Sequence, residues 1–219
     1  MLRRWRELTG IPEEEAHGVA LHLGNGASLA AIRAGKSVDT TMGLTPLEGL
    51  MMGTRSGDVD PSLSAFLARQ EGMDAEAVER LLNTGSGLLG VSGASNDMRR
   101  LLELEAREPR ARLAIDMFCH RARKAIGAAL ATVGGARAVL FTGGIGENAP
   151  AIRERICRGM AWCGLTLDAA ANAATAGGRE GCISPPDASL PAWVIPTDEE
   201  QLIAEDTARL VFATSPPLA

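Results

Sequence analysis

The sequence predicts an α/β or mixed α+β layer fold. Three observations carry the prediction. Short apolar segments at 19–23, 28–33 and 37–41 are joined by tight-turn residues. A helical pattern runs unbroken from 109 to 133. The apolar run Ala138-Val-Leu-Phe-Thr142 passes straight into Gly143-Gly144-Ile145-Gly146-Glu147-Asn148 and then into another helical pattern. A meander followed by helices alternating with strands is the layout of a layered sheet-and-helix domain.

Each element follows from its local pattern. Leu2, Trp5 and Leu8 share one helical face, and Thr9-Gly10 with Pro12 ends that helix. A chain that opens inside an amphipathic helix is expected to open inside a domain; a plain short N-terminal helix is the alternative. Val19–Leu23 and Ser28–Arg33 read as strands joined by Gly24-Asn25-Gly26-Ala27, and Asn-Gly between strands signals a hairpin. Ala34-Gly35-Lys36 makes a second tight turn into Ser37–Thr41. Residues 42–61 have no period and read as a long ordered loop. Helices are expected from Asp60-Pro61 to Gln70 and from Asp74 to Leu82, and Thr84–Ser95 is rich in Gly and Ser. The 109–133 helix turns Ile115, Phe118, Ala122, Ala125, Ile126, Ala129 and Val133 inward. Ile152, Ile156 and Met160 mark the inner face of a helix expected to run from Asn148 to Cys163. Val194-Ile195 is the last strand, and Thr197-Asp198-Glu199-Glu200 reads as a capping box for a terminal helix.

Composition narrows the function classes. The 219 residues are 46% hydrophobic and 22% charged, which is ordinary globular usage. A net charge of −5 offers nucleic acid or an anionic membrane no general attraction. Aromatic content of 3%, with no Tyr, argues against base-stacking platforms. Cys119, Cys157, Cys163 and Cys182 form no CxxC and read as free thiols of a reducing cytoplasm. The charged start lacks a signal-peptide apolar core, and no apolar run approaches the ~20 residues of a membrane span. A soluble, cytoplasmic protein is expected.

Five segments carry candidate chemistry. In His22-Leu23-Gly24-Asn25-Gly26-Ala27-Ser28, glycines let backbone N–H groups approach an anion, although a simple hairpin turn reads the same way. In Gly53-Thr54-Arg55-Ser56-Gly57-Asp58, Arg55 suits a phosphoryl or carboxylate group; a salt bridge to Asp58 or Asp60 is the alternative. Gly143–Asn148 lies between a strand and a helix, where α/β folds bind ligands, or it is a tight turn with Asn148 as N-cap. Asn96-Asp97-Met98-Arg99 offers an acid and a base two apart for a ribose and a nucleobase, or a helix cap. Glu199 either complements a helix dipole or contributes to a Mg²⁺ site. His17 and His120 have no partner at catalytic spacing.

Taken together, His22–Ser28, Gly35–Thr40, Met42–Pro61, Gly90–Gly93, Phe141–Asn148 and Val194–Glu200 resemble acetate kinases nearly residue for residue, in order along the chain. The 42–61 block is specific to acetate and propionate kinases. The resemblance implies an RNase H-like domain of the actin-like, sugar-kinase-like ATPase fold. Residues 1–219 would be the C-terminal, nucleotide-binding half, with 198–213 a terminal helix crossing to an N-terminal domain that the chain lacks. It further implies that His22, Leu23, Gly24, Asn25 and Gly26 contact ATP phosphates. Asp97, Met98 and Arg99 would meet the adenosine, and Gly144, Ile145, Gly146, Glu147 and Asn148 would wall the adenine pocket. Arg55 would be catalytic, stabilising the transition state, and Glu199 would hold Mg²⁺ (or Mn²⁺). Family members read Asp-Phe-Arg where Met98 stands, which implies a modest change in the adenine pocket. The implied reaction moves phosphate between ATP and acetate (or propionate), giving acetyl phosphate and ADP; a non-catalytic nucleotide-binding remnant is the other reading. A homodimer is implied, with an exposed apolar patch at Met51-Met52 for another domain or subunit.

Overall fold

The structure is a computed structural model that describes residues 1–197 and 199–213. Among them, six strands form one mixed sheet in the order β3-β2-β1-β4-β6-β5. The strands are β1 Gly18–Leu23, β2 Ala27–Arg33, β3 Lys36–Thr40, β4 Ala138–Thr142, β5 Gly181–Cys182 and β6 Ala192–Val194. The first three make the expected antiparallel meander. β4 joins β1 in parallel, and β6 joins β4 in parallel. This is the RNase H-like arrangement that the resemblance implies, a meander extended by parallel strands. β5, two residues long and antiparallel to β6, was too short to leave a sequence pattern.

Among the described residues ten α-helices accompany the sheet: α1 Leu2–Thr9, α2 Leu63–Glu71, α3 Ala75–Thr84, α4 Gly87–Ser92, α5 Met98–Leu104, α6 Pro109–Val133, α7 Gly143–Asn148, α8 Pro150–Cys157, α9 Ala169–Ala174 and α10 Glu199–Ala213. Alternation along the strands divides the core in two. Val19, Leu21, Leu23, Leu29, Val139 and Phe141 face α6, which buries Ile115, Phe118, Ala122, Ile126, Ala129 and Val133 against them. Ala20, Ile32, Ala138 and Leu140 face the other way and are covered by Trp5 of α1 with Ala16 and Ile195.

The structure departs from the sequence expectations at three places. The Gly/Ser-rich stretch 84–95 contains α4. Gly143–Asn148 is itself a helical turn, and the chain breaks at Ala149 before Pro150 opens α8, so no single helix reaches Cys163. Proline at the first helical position lacks only an N–H that the helix would leave unpaired anyway. Met51 and Met52 are buried in this domain's own core and are not the exposed patch expected. In that loop it is Leu44 that stands fully exposed. The 197–200 capping box includes Asp198, outside the described residues.

Candidate active site

Three segments distant in sequence line one cavity of about 700 Å³. Gly24 and Asn25 come from the β1–β2 turn, Asn96 to Arg99 from the start of α5, and Gly144, Ile145 and Asn148 from α7. Leu102 and Ala149 to Ala151 complete the wall.

The β1–β2 turn is closed by Gly24 N–H donating to the Gly26 carbonyl at 2.9 Å. Asn25 then fastens two other loops to it. Its carbonyl accepts Gly53 N–H at 2.9 Å, and its Oδ1 accepts the Asn96 amide at 3.0 Å. A Cβ on Gly53 would stand 2.0 Å from Asn25 Oδ1, so any other residue here would push the Asn25 carboxamide aside. The approach brings Arg55, two residues on, to the turn. Arg55 Nη1 lies 3.7 Å from Met52 Sδ and 3.7 Å from where a Gly26 Cβ would be. Asp58 pairs with Arg121 at 3.0 Å, and Asp60 accepts Ser62 N–H at 2.8 Å. Among the described residues Arg55 therefore has no carboxylate partner, and the salt-bridge alternative falls. His22 sits in β1 opposite Ser28 and Thr142, with Nε2 3.8 Å from a Gly24 Cβ position. The Leu23 side chain is fully buried in the core, so only its backbone is available to a ligand.

At the start of α5, Asp97 caps the helix by accepting Arg99 N–H at 2.9 Å. It also pairs with the Arg99 guanidinium at 2.8 Å, and that guanidinium holds its carboxyl below the usual range. Met98 is buried against the cavity.

The α7 turn is built differently. Gly143, at φ +78°, packs on the Leu23 backbone, where a Cβ would meet the carbonyl oxygen at 2.8 Å. Glu147 Oε1 accepts Gly143 N–H at 2.8 Å and Thr197 N–H at 2.9 Å. Its carboxylate thus caps α7 and ties it to the chain entering α10, where Thr142 and Thr197 share a hydroxyl contact. Asn148 is not the N-cap of α8; its amide donates to Gly144 O at 3.1 Å and its Oδ1 accepts Gly177 N–H at 2.9 Å. Gly146 and Glu147 do not line the cavity: Gly146 is buried, and the Glu147 carboxylate is spent on the backbone.

Arg153 was not anticipated. It is fully buried and donates to Gly146 O, Glu147 O, Asn172 Oδ1, Asn172 O and Thr175 O, all at 2.7–2.8 Å. These five bonds use all five guanidinium N–H groups. Burial pulls its pKa down to about 10, still charged at neutral pH. Its partners are backbone carbonyls and one amide, which leave no pairing pattern in the sequence. Burial pushes the Cys119 and Cys157 thiols up to about 12, so neither is a nucleophile.

Among the described residues no three His, Cys, Asp or Glu side chains cluster to hold a metal. The Glu199 side chain lies outside the described residues. The cavity therefore combines an apolar end, at Met98, Leu102, Ile145 and Ala149 to Ala151, with the Gly24–Asn25 turn at the other; His22 and Arg55 stand beside that turn and do not line the cavity.

The model of the Acetokinase family matches residues 1–205 of the chain. The chain belongs to the acetokinase family. It is 57% identical over 217 residues to an acetate kinase of Solibacter usitatus, covering 98% of this chain and 52% of that protein. The crystal structure of Porphyromonas gingivalis acetate kinase superposes with a TM-score of 0.92 at 43% identity, over 96% of this chain and 53% of that one. A propionate kinase from Francisella tularensis superposes at 0.86 with 39% identity, over 93% and 51%. The chain spans about half the length of the acetokinase relatives it matches. No described helix is long and apolar enough to cross a membrane.

Proposed function

We propose that this chain is the nucleotide-binding half of an acetate kinase. The observation that carries this reading is the convergence of Gly24–Asn25, of Asn96–Arg99 and of Gly144, Ile145 and Asn148 on one cavity, with Arg55 held beside Gly26 without a carboxylate partner among the described residues. Adenine occupies the apolar end between Met98 and Ile145. The ribose meets the Asp97–Arg99 edge, and the phosphates run over the Gly24–Gly26 turn. Turn N–H groups and the guanidinium neutralise phosphate charge.

In the reaction proposed, an acetate oxygen attacks the γ-phosphorus. A new O–P bond forms as the bond to the β,γ-bridging oxygen breaks, and ADP leaves with that electron pair. Acetate is already a carboxylate nucleophile, so no general base is needed. Positioning and charge neutralisation carry the catalysis. Arg55 stabilises the charge spread over the transferring phosphoryl oxygens. Glu199 is the proposed protein ligand of a Mg²⁺ ion, which would supply charge neutralisation at the phosphates; such an ion typically takes one or two carboxylates besides phosphate oxygens.

The half-length match supports a division of labour. Residues that hold the acyl acceptor are proposed to come from a further half, in cis or in trans, of a homodimeric enzyme. Calorimetry of the 219-residue chain with Mg·ADP tests the nucleotide reading, and absence of binding would refute it. A hydroxamate assay tests the division. Acetyl phosphate formation is expected only when a matching N-terminal half is joined, and robust activity of this chain by itself would overturn it.

A further inference from the structure

Asn25 lies at the junction of three loops. Its backbone carbonyl is taken by Gly53 N–H, and its side-chain oxygen by the Asn96 amide at 3.0 Å. Its Nδ2 has no protein partner among the described residues. A carboxamide has one acceptor end and one donor end. With the oxygen engaged, the end left for a ligand is the donor, which suits an anion. The carboxamide is also confined, because Gly53 stands so close that a Cβ there would be 2.0 Å from Asn25 Oδ1. Turning it over by itself would set NH₂ against the Asn96 NH₂.

Asn96 is itself held in place. The buried Ser92 hydroxyl accepts Ala94 N–H at 3.1 Å and Ser95 N–H at 3.2 Å, and donates to Ser95 O at 3.1 Å. Ser95 Oγ then accepts Asp97 N–H at 3.0 Å. This turn fixes the backbone on both sides of Asn96. The capping of α5 by Asp97 does not involve the Asn96 side chain.

We propose that Asn96 is a positioning residue for the polyphosphate end of the site. It holds the Asn25 carboxamide with its donor end toward the ligand, so the cavity discriminates phosphorylated nucleotides from the bare nucleoside. The proposal rests on the nucleotide reading above. Asn96 makes no contribution to base recognition in this account; it acts through Asn25.

The test is calorimetry of the 219-residue chain with adenosine, ADP and ATP, each in Mg²⁺ buffer. In Asn96→Ala, ADP and ATP are expected to bind about three- to ten-fold more weakly, the worth of one hydrogen bond, with adenosine unchanged. Asn96→Ser keeps a donor for Asn25 Oδ1 and is expected to restore most of the loss. Asn96→Asp can only accept, so it draws the Asn25 NH₂ to itself and turns an oxygen toward the phosphates. It is expected to lose more ADP affinity than Asn96→Ala, again with adenosine unchanged. Equal weakening of adenosine and ADP would show a merely structural role and overturn the proposal. So would an Asp variant that binds ADP as well as the parent. A parent chain that binds neither adenosine nor ADP would instead remove the nucleotide reading itself.

Discussion

The turn Gly24–Gly26 and the helical turn Gly143–Asn148 stand at the carboxyl ends of two adjacent parallel strands, β1 and β4. Both are glycine-rich and both line the cavity, but they leave different groups free. In the first, Asn25 Nδ2 has no protein acceptor and the Arg55 guanidinium has no carboxylate, only the Met52 thioether, among the described residues. In the second, the polar side chains are consumed by the fold: Glu147 caps Gly143 and holds Thr197, and Asn148 bonds Gly144 and Gly177. Arg153 clamps the Gly146 and Glu147 carbonyls from behind. One turn leaves donor groups unengaged by the fold, and the other is a rigid wall. Glycine content does not separate them; the fate of each polar group does.

The largest expected effect lies at the donor turn. With a matching N-terminal half joined, Arg55→Ala is expected to cut turnover by about a thousand-fold or more. ATP affinity and the melting temperature should stay near those of the parent. Equal turnover of mutant and parent would remove Arg55 from the reaction, and an unfolded mutant would make it a structural residue like Arg153.

Arg153 is expected to show the opposite profile. Arg153→Met leaves buried carbonyls without donors and should lower stability by about 2–4 kcal/mol in urea unfolding. A mutant as stable as the parent would mean that α7 does not depend on the clamp. Glu147→Ala removes the cap of α7 and the tie to Thr197, with an expected cost of about 1–2 kcal/mol. Glu147→Gln should fall between mutant and parent, because an amide oxygen still accepts both N–H groups.

Much of the frame was legible because local pattern and tertiary environment agree. The 109–133 helix has the bounds its periodicity predicts, and the Asn-Gly turn, the meander and the buried strand at 138–142 all follow from neighbouring residues. The segments that would meet at the cavity were legible as motifs. What holds them there was not. α4 lies in a Gly/Ser-rich stretch because its first-turn N–H groups of Leu88 and Leu89 donate to Met52 and Gly53 carbonyls, over 30 residues away in the chain. The wall at α7 relies on Arg153, four of whose five acceptors are backbone carbonyls that any sequence would supply, the fifth being the Asn172 side chain. Contacts between side chain and distant backbone leave no spacing to read.

The smallest expected effect concerns how the wall is joined to α5, the other side of the apolar end. Arg155 of α8 grips Glu105, just after α5, through two bonds of 2.8 Å. That guanidinium holds the Glu105 carboxyl below its ordinary range. A folded-state value below the unfolded one means that the pair adds stability above the unfolded value, near pH ~4.3. The contribution fades as pH falls through the folded value. Both side chains are partly exposed, 19% and 25%, so screening limits the pair to about 1 kcal/mol at neutral pH. Glu105→Gln should therefore lower neutral-pH stability by that amount and flatten the acid side of the stability profile, with adenosine affinity unchanged. A Gln variant whose acid side keeps the parent's slope would mean that other carboxylates set it, and that the wall is secured without this ion pair.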